Sequence, residues 1–112
     1  MLIQTRTIVV QKGHADAVVE RFSQRGPIDE MEGLLDVSVM VNRSKKEDTE
    51  EVVAMIRWES VDAWKNWEKS PAHIQGHRDK KGHTPPDYVI SSTVSMYEVK
   101  ARREGTFAKQ EQ

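Results

Sequence analysis

The sequence predicts an α+β fold of the ferredoxin-like type, with its elements in the order β-α-β-β-α-β. Four segments are rich in β-branched residues or alternate apolar and polar residues, and two segments carry apolar residues at helical spacing. In this arrangement two helices cover one face of a four-stranded antiparallel sheet. The 112 residues suffice for one such domain, which we expect over 1–100, followed by a polar tail over 101–112.

The first three elements are predicted within residues 2–42. Residues 2–11 are rich in β-branched side chains and predict the first strand. Residues 14–25 predict a helix that Gly26-Pro27 ends, because their apolar positions follow the spacing i, i+3, i+4, i+7: Ala15, Val18, Val19 and Phe22. Residues 34–42 predict the second strand, in which four apolar residues share one face: Leu35, Val37, Val39 and Val41.

The remaining elements follow a charged run over 43–48, which predicts a solvated hairpin loop. Residues 51–58 predict the third strand. Ser60 is the expected N-cap of a helix that ends near Lys69, and Pro71 opens a further helical turn that reaches about Arg78. Residues 79–87 predict a loop and 88–99 the last strand.

Apolar residues also lie on the strand face that two helices cannot cover. In the third strand Val53 and Met55 alternate with the apolar positions Val52, Ala54 and Ile56, so both faces are partly apolar. The simplest cover for the second face is another copy of the chain. The sequence therefore predicts a homodimer that forms a dimeric α/β barrel.

The composition excludes several classes of function. Seventeen Lys and Arg balance 18 Asp and Glu, and the net charge of −1 gives no electrostatic basis for binding nucleic acid or an anionic membrane. The chain has no cysteine, which excludes disulfides, thiolate metal sites and thiol nucleophiles and suits a reducing cytoplasm. We expect a cytoplasmic protein, because neither a signal peptide nor a membrane-spanning apolar run is present.

The residues best suited to chemistry cluster between 58 and 83, which hold all three tryptophans and three of the four histidines. His73 and His77 share one helix face, where a neutral imidazole could bind iron from an apolar pocket. On spacing alone, such a pair without an acidic partner more often marks exposed or structural histidines. Arg6 interrupts the first strand, and if it points inward it needs an anionic partner such as a carboxylate or propionate.

At these positions the sequence resembles the IsdG-type haem-degrading monooxygenases of the antibiotic biosynthesis monooxygenase superfamily, especially their HmoA-like branch. The resemblance covers residues 1 to about 103. Its most specific stretch is 64–77, WKNWEKSPAHIQGH, and it also includes Lys12-Gly13, Val19-Glu20-Arg21-Phe22, Glu32-Gly33-Leu34, Ile56-Arg57-Trp58 and Pro86-Asp87-Tyr88.

The resemblance implies that haem is both substrate and cofactor and is cleaved with O2 and electrons from an external donor. It implies that His77 is the axial ligand of the haem iron, that Trp67 contacts the porphyrin, and that Arg6 replaces the family's asparagine. Phe22 and Ile74 are expected to line the haem site. The resemblance gives no role to His73 or His83, and we expect His73 not to be the ligand.

Two alternatives remain at this point. The first is a haem-binding or haem-buffering protein without catalysis on the same fold. The second is a cofactor-free monooxygenase that acts on a small aromatic molecule, as other members of the superfamily do.

Overall fold

The computed structural model describes residues 1–44, 46–80 and 84–107. In chain order it contains β1 (Leu2–Gln11), α1 (Ala15–Phe22), a short 3-10 helix (Pro27–Glu30), β2 (Leu34–Val41), β3 (Thr49–Trp58), α2 (Val61–Lys69), α3 (Pro71–Lys80) and β4 (Val89–Glu98). This order confirms the predicted ferredoxin-like α+β fold. His83 and the end of the predicted tail, 108–112, lie outside the described residues.

The four strands form one antiparallel sheet in the order β2-β3-β1-β4. In the central strand β1, Leu2, Ile8 and Val10 are buried beneath the helices, whereas the alternate positions are only partly buried. Arg6 has the same parity as these buried residues, and its cross-strand neighbours are Ala54 and Val94. Since directly paired residues share a face, Arg6 lies on the helix side of the sheet.

The core is divided into two clusters at opposite ends of the sheet. One cluster lies under α1 and contains Ile8, Val10, Ala15, Val18 and Val52. The other lies under α2 and contains Leu2, Trp58 and Ala63, with Trp64 and Trp67 packed against it as partly buried residues. The helices thus cover the two ends of the sheet and leave its middle, where Arg6 lies, less covered.

Gly33 allows the chain to enter β2 closely beside the first turn of α2. Its φ of +90° is unfavourable for other residues, and a Cβ at this position would lie 2.5 Å from the Ala63 Cβ. The Gly33 carbonyl accepts a hydrogen bond of 2.7 Å from the Glu59 amide. Ser60 is the N-cap of α2, as predicted, and accepts a 3.1 Å hydrogen bond from the Ala63 amide.

The helices differ from the prediction in three respects. The helix predicted over 14–25 ends at Phe22, where the Ser23 amide and hydroxyl both donate to the Val19 carbonyl, at 3.0 Å and 2.6 Å. The predicted turn at Gly26-Pro27 leads into the 3-10 helix, whose Asp29 carboxylate accepts from the Gly26 amide at 2.8 Å. α3 extends to Lys80, two residues beyond the predicted end near Arg78.

The face of the sheet opposite the helices combines apolar side chains with one ion pair. Arg57 on β3 donates from Nε to Asp36 Oδ1 at 2.8 Å and from Nη2 to Oδ2, so the pair is bidentate. The Arg57 hydrogen bond and charge hold the pKa of Asp36 below its usual range. Around the pair lie Ile3, Met55 and Tyr97.

In the described ranges, no helix is long and apolar enough to cross a membrane.

Candidate functional site

A cavity of about 460 Å³ opens beside Arg6 on the helix side of the sheet. Ile8, Val18 and Phe22 contribute an apolar wall, and the guanidinium groups of Arg6 and Arg21 add positive charge. The segment 84–86 and Tyr88 close the cavity from the direction of β4. Arg6 itself is exposed in the single chain.

The second part of the candidate site is a row of three aromatic rings that spans α2 and α3. The Trp67 ring meets the His73 ring edge-on at 5.0 Å, and the His73 ring meets the His77 ring edge-on at 4.4 Å. The Nε2 atoms of the two histidines are 3.0 Å apart. The predicted i, i+4 pair therefore does share one face of α3, and His73 separates Trp67 from His77.

Ser70 fixes the bend between α2 and α3 that brings these rings together. Its hydroxyl donates to the Trp67 carbonyl at 2.7 Å and accepts from the His73 amide at 3.2 Å. Pro71 follows at the first position of α3, where a missing N–H costs nothing. One side chain thus ends one helix and begins the next, so the orientation of Trp67 relative to His73 is set locally.

An acidic partner of the histidine pair was missed in the sequence. Glu68 Oε2 lies 2.5 Å from His73 Nε2, although the spacing had indicated a pair without an acid. Glu68 is five residues before His73, a separation that places residues on different faces of a straight helix. The Ser70-Pro71 bend removes that restriction, and this bend was the signal in the sequence that could have revealed the pair.

The predicted site residues form two groups in the single chain. Arg6 and Phe22 line the cavity beside the sheet, whereas Trp67 and His77 belong to the aromatic row and are not among the described residues that line this cavity. Ile74 is 43% exposed on α3, and His77 is exposed beside it. Within the described part of the chain, no three His, Asp or Glu side chains form a group that could hold a metal ion.

His14 directly precedes α1, at the N-cap position of that helix. Its ring is only partly exposed and stacks on Tyr88 at 4.5 Å with the planes 7° apart. Tyr88 lines the cavity beside Arg6, so the stacked His14 ring packs against one of the residues that form the cavity wall.

Comparison with known proteins shows the family to which the chain belongs. The family model for antibiotic biosynthesis monooxygenases matches residues 1–79. The chain therefore belongs to the antibiotic biosynthesis monooxygenase family. Among its relatives is the heme-degrading monooxygenase HmoA of Bacillus subtilis, which is 54% identical over 107 residues, covering 96% of this chain and 98% of the relative.

Solved structures agree with the family. An antibiotic biosynthesis monooxygenase from Bacillus cereus superposes with a TM-score of 0.80 at 41% identity and covers 93% of this chain and 97% of its own. The heme-degrader MhuD from Mycobacterium tuberculosis, solved with two hemes bound in its active site, superposes with a TM-score of 0.63 at 20% identity over 93% of this chain and 100% of its own. At that identity the likeness establishes the fold alone.

Proposed function

We propose that this protein is a haem-degrading monooxygenase that binds haem and cleaves the porphyrin with O2 and electrons, releasing iron. The observation that carries the proposal is the 54% identity, over nearly the whole length of both chains, to a relative named for that reaction. The aromatic row and the cavity beside Arg6 supply the side chains that such a reaction requires.

The side chains of the cavity and of the aromatic row suit the chemistry of haem. Haem is a flat apolar ring with two anionic propionates and an iron that accepts an imidazole ligand. Phe22 and its neighbours offer an apolar wall, and Arg6 and Arg21 offer cations for the propionates. His77 presents an exposed imidazole at the end of the aromatic row.

Each residue of the proposed site has a distinct task. His77 would bind the haem iron, Ile74 would contact the ring from the same helix, and Trp67 would press on its edge as a rigid, flat side chain. Arg6 would pair with a propionate or hold a hydrogen bond near the distal face. Bound haem supplies the redox chemistry, and the chain supplies ligation, orientation and exclusion of water.

The proposal includes partners beyond haem. The electrons come from an external donor, and the protein acts in the cytoplasm, where cellular reductants are available. We also propose a homodimer in which a second copy covers the face of the sheet that carries Ile3 and the Asp36–Arg57 pair.

Titration with haemin followed by turnover tests the function and separates it from both alternatives. We expect saturable binding of one haem per chain, then loss of the haem spectrum when ascorbate is added in air with catalase present. A cofactor-free monooxygenase would not bind haemin stoichiometrically. A haem-buffering protein would bind haemin but keep its spectrum intact under reductant, and either result would refute the proposed enzyme.

A further inference from the structure

We propose that haem lies on a strip of β1 and β4 that joins the cavity beside Arg6 to the aromatic row, and that Val94 and Met96 contact the porphyrin there. The inference rests on the proposed function for the identity of the ligand. It adds two apolar residues of β4 to the site, and the resemblance gave neither of them a role.

The strip consists of two cross-strand pairs, and we call its four residues the β1–β4 strip. Arg6 pairs with Val94, and Gln4 pairs with Met96. Directly paired residues share a face of the sheet, and so do residues two positions apart on one strand. Because Arg6 lies on the helix side, all four side chains of the β1–β4 strip lie on that side.

The β1–β4 strip connects the two groups of predicted site residues. At one end the next cross-strand pair is Ile8 and Ser92, and both residues line the cavity. At the other end the next helix-side position of β1 is Leu2, which belongs to the cluster against which Trp67 packs. From Ser92 to Met96 the strand extends about 13 Å, a length suited to a flat macrocycle rather than to a small molecule.

The β4 side chains of the strip are apolar and open in the single chain. Val94 is 47% exposed, Met96 is 38% exposed, and Arg6 beside them is exposed as well. Apolar side chains around one cation suit a ligand with an apolar body and an anionic group, and haem has both. A symmetric contact between two copies through the centre of this strip would instead bring two Arg6 guanidinium groups together, which like charge disfavours.

Oxidation of methionine by hydrogen peroxide tests the contact without turnover. The thioether sulfur takes one oxygen atom of peroxide, the O–O bond breaks and the other oxygen leaves as water. The protein is treated alone and with gallium protoporphyrin, in the dark, because gallium takes the place of iron and is not reduced. Peptide mass spectrometry then measures how fast each methionine becomes the sulfoxide.

We expect bound gallium protoporphyrin to slow the oxidation of Met96 by about tenfold, because a covered sulfur is shielded from peroxide. Met40 is the internal control. It is 42% exposed, but it pairs with Val53 on the opposite face of the sheet, so its rate of oxidation should not change when the porphyrin binds.

A pair of variants supplies the second readout. Met96→Ala removes an apolar contact and should weaken the binding of gallium protoporphyrin by about tenfold, measured by absorption titration. Met40→Ala removes the same atoms from the opposite face and should bind the porphyrin as wild type does.

The outcomes separate this inference from the proposed function. Porphyrin that binds but leaves the oxidation of Met96 unchanged would overturn the inference and leave the proposed function standing. Met96 that is already protected in the porphyrin-free protein, relative to the unfolded chain, would also overturn it and would indicate that a second copy covers the strip. Protection of Met96 by porphyrin in a protein that does not degrade haem would refute the proposed enzyme and leave the contact standing.

Discussion

At the scale of single residues, His73 and His77 share a helix face but have different surroundings. His73 is engaged by Glu68, Trp67 and Ser70, so its ring has little freedom to move toward a ligand. His77 contacts the edge of that ring and is exposed. Their environments therefore favour His77 as the iron ligand and His73 as its support.

This difference predicts opposite spectra for two alanine variants. His77→Ala should lose the histidine-ligated Soret band on haemin titration, because the exposed imidazole proposed as the iron ligand is removed. His73→Ala should keep that band, although with weaker binding. The measurement is the absorption spectrum of each variant at saturating haemin. The reverse pattern would contradict the assignment of the ligand.

The proposed role of Arg6 is to pair with an anionic group of bound haem. Arg6 lies on the helix side of the sheet beside a cavity with apolar walls, where an unpaired charge would be unfavourable once the cavity is filled. We expect Arg6→Ala to lower haem affinity and the rate of haem loss by about tenfold each. This is the effect expected from the loss of one charge-assisted hydrogen bond.

Arg6→Lys is the matched variant for this prediction, because it keeps the charge but loses the planar fork of donors. It should recover part of the affinity. Wild-type affinity and rate in Arg6→Ala would show that Arg6 is a surface charge without a role in the site.

At the scale of secondary structure, the strands and the buried face of the first helix could be predicted from the sequence. Their apolar residues recur at the spacing of a strand or of a helix, and these residues are the buried ones. In β1 the parity that buries Ile8 and Val10 also places Arg6 on the helix side, so its side could be inferred before the structure. The end of α1 could not be predicted in this way. Ser23 ends the helix through a local hydrogen bond that many other residues could also form.

The acidic partner of the histidine pair also escaped prediction for a physical reason. Glu68 reaches His73 only because the chain bends at Ser70-Pro71, and residues five apart on a continuous helix point to different sides. Sequence spacing identifies partners within an element, whereas the angle between two elements depends on packing.

The close approach of Gly33, just before β2, to Ala63 of α2 predicts how a substitution there changes stability. Gly33→Ala would force a side chain into a left-handed conformation and against the Ala63 Cβ. We expect the free energy of unfolding to fall by about 2 kcal/mol or more, measured by urea denaturation. Gly13→Ala is the control, since its φ is +93° but no atom lies within 4 Å of the added Cβ. Equal losses in the two variants would show that Gly33 is needed for its backbone angle and not for the close approach.

The Asp36–Arg57 pair predicts how stability depends on pH. Because Arg57 lowers the pKa of Asp36 in the folded chain, the pair stabilises the fold above the usual aspartate pKa and loses that effect as pH falls through the lowered value. Asp36→Asn should therefore reduce the free energy of unfolding at neutral pH, measured by urea denaturation. The difference from wild type should vanish at strongly acid pH.

The control for this prediction is Glu98→Gln, which removes the exposed Glu98–Lys100 pair on β4. It should leave the unfolding transition unchanged. A loss of stability in Asp36→Asn that is the same at every pH would contradict the assignment of the effect to the ion pair.

At the scale of the whole molecule, one face of the sheet has no cover among the residues that the structure describes. The side chains of Ile3, Met55 and Tyr97 lie on that face around the Asp36–Arg57 pair. A domain of this size buries only about two thirds of its unfolded surface, so a second copy would add substantially to its core. This reasoning supports the proposed homodimer.

Light scattering at micromolar concentration should accordingly report twice the mass of one chain, 12.9 kDa. Met55→Lys, which places a charge in the middle of the uncovered face, should shift the protein toward the monomer. Lys46→Glu, in the loop between β2 and β3, is the control and should leave the mass unchanged. A monomeric wild-type protein would contradict the proposed assembly.

Release of iron from bound haem tests the central claim most directly. The protein is loaded with one haem per chain, ascorbate is added in air with catalase present, and an iron chelator that forms a coloured complex reports free iron as the Soret band declines. We expect iron release to match haem loss one to one and both to stop in His77→Ala. Haem that stays intact, or that is lost without iron release or at the same rate in His77→Ala, would contradict the account.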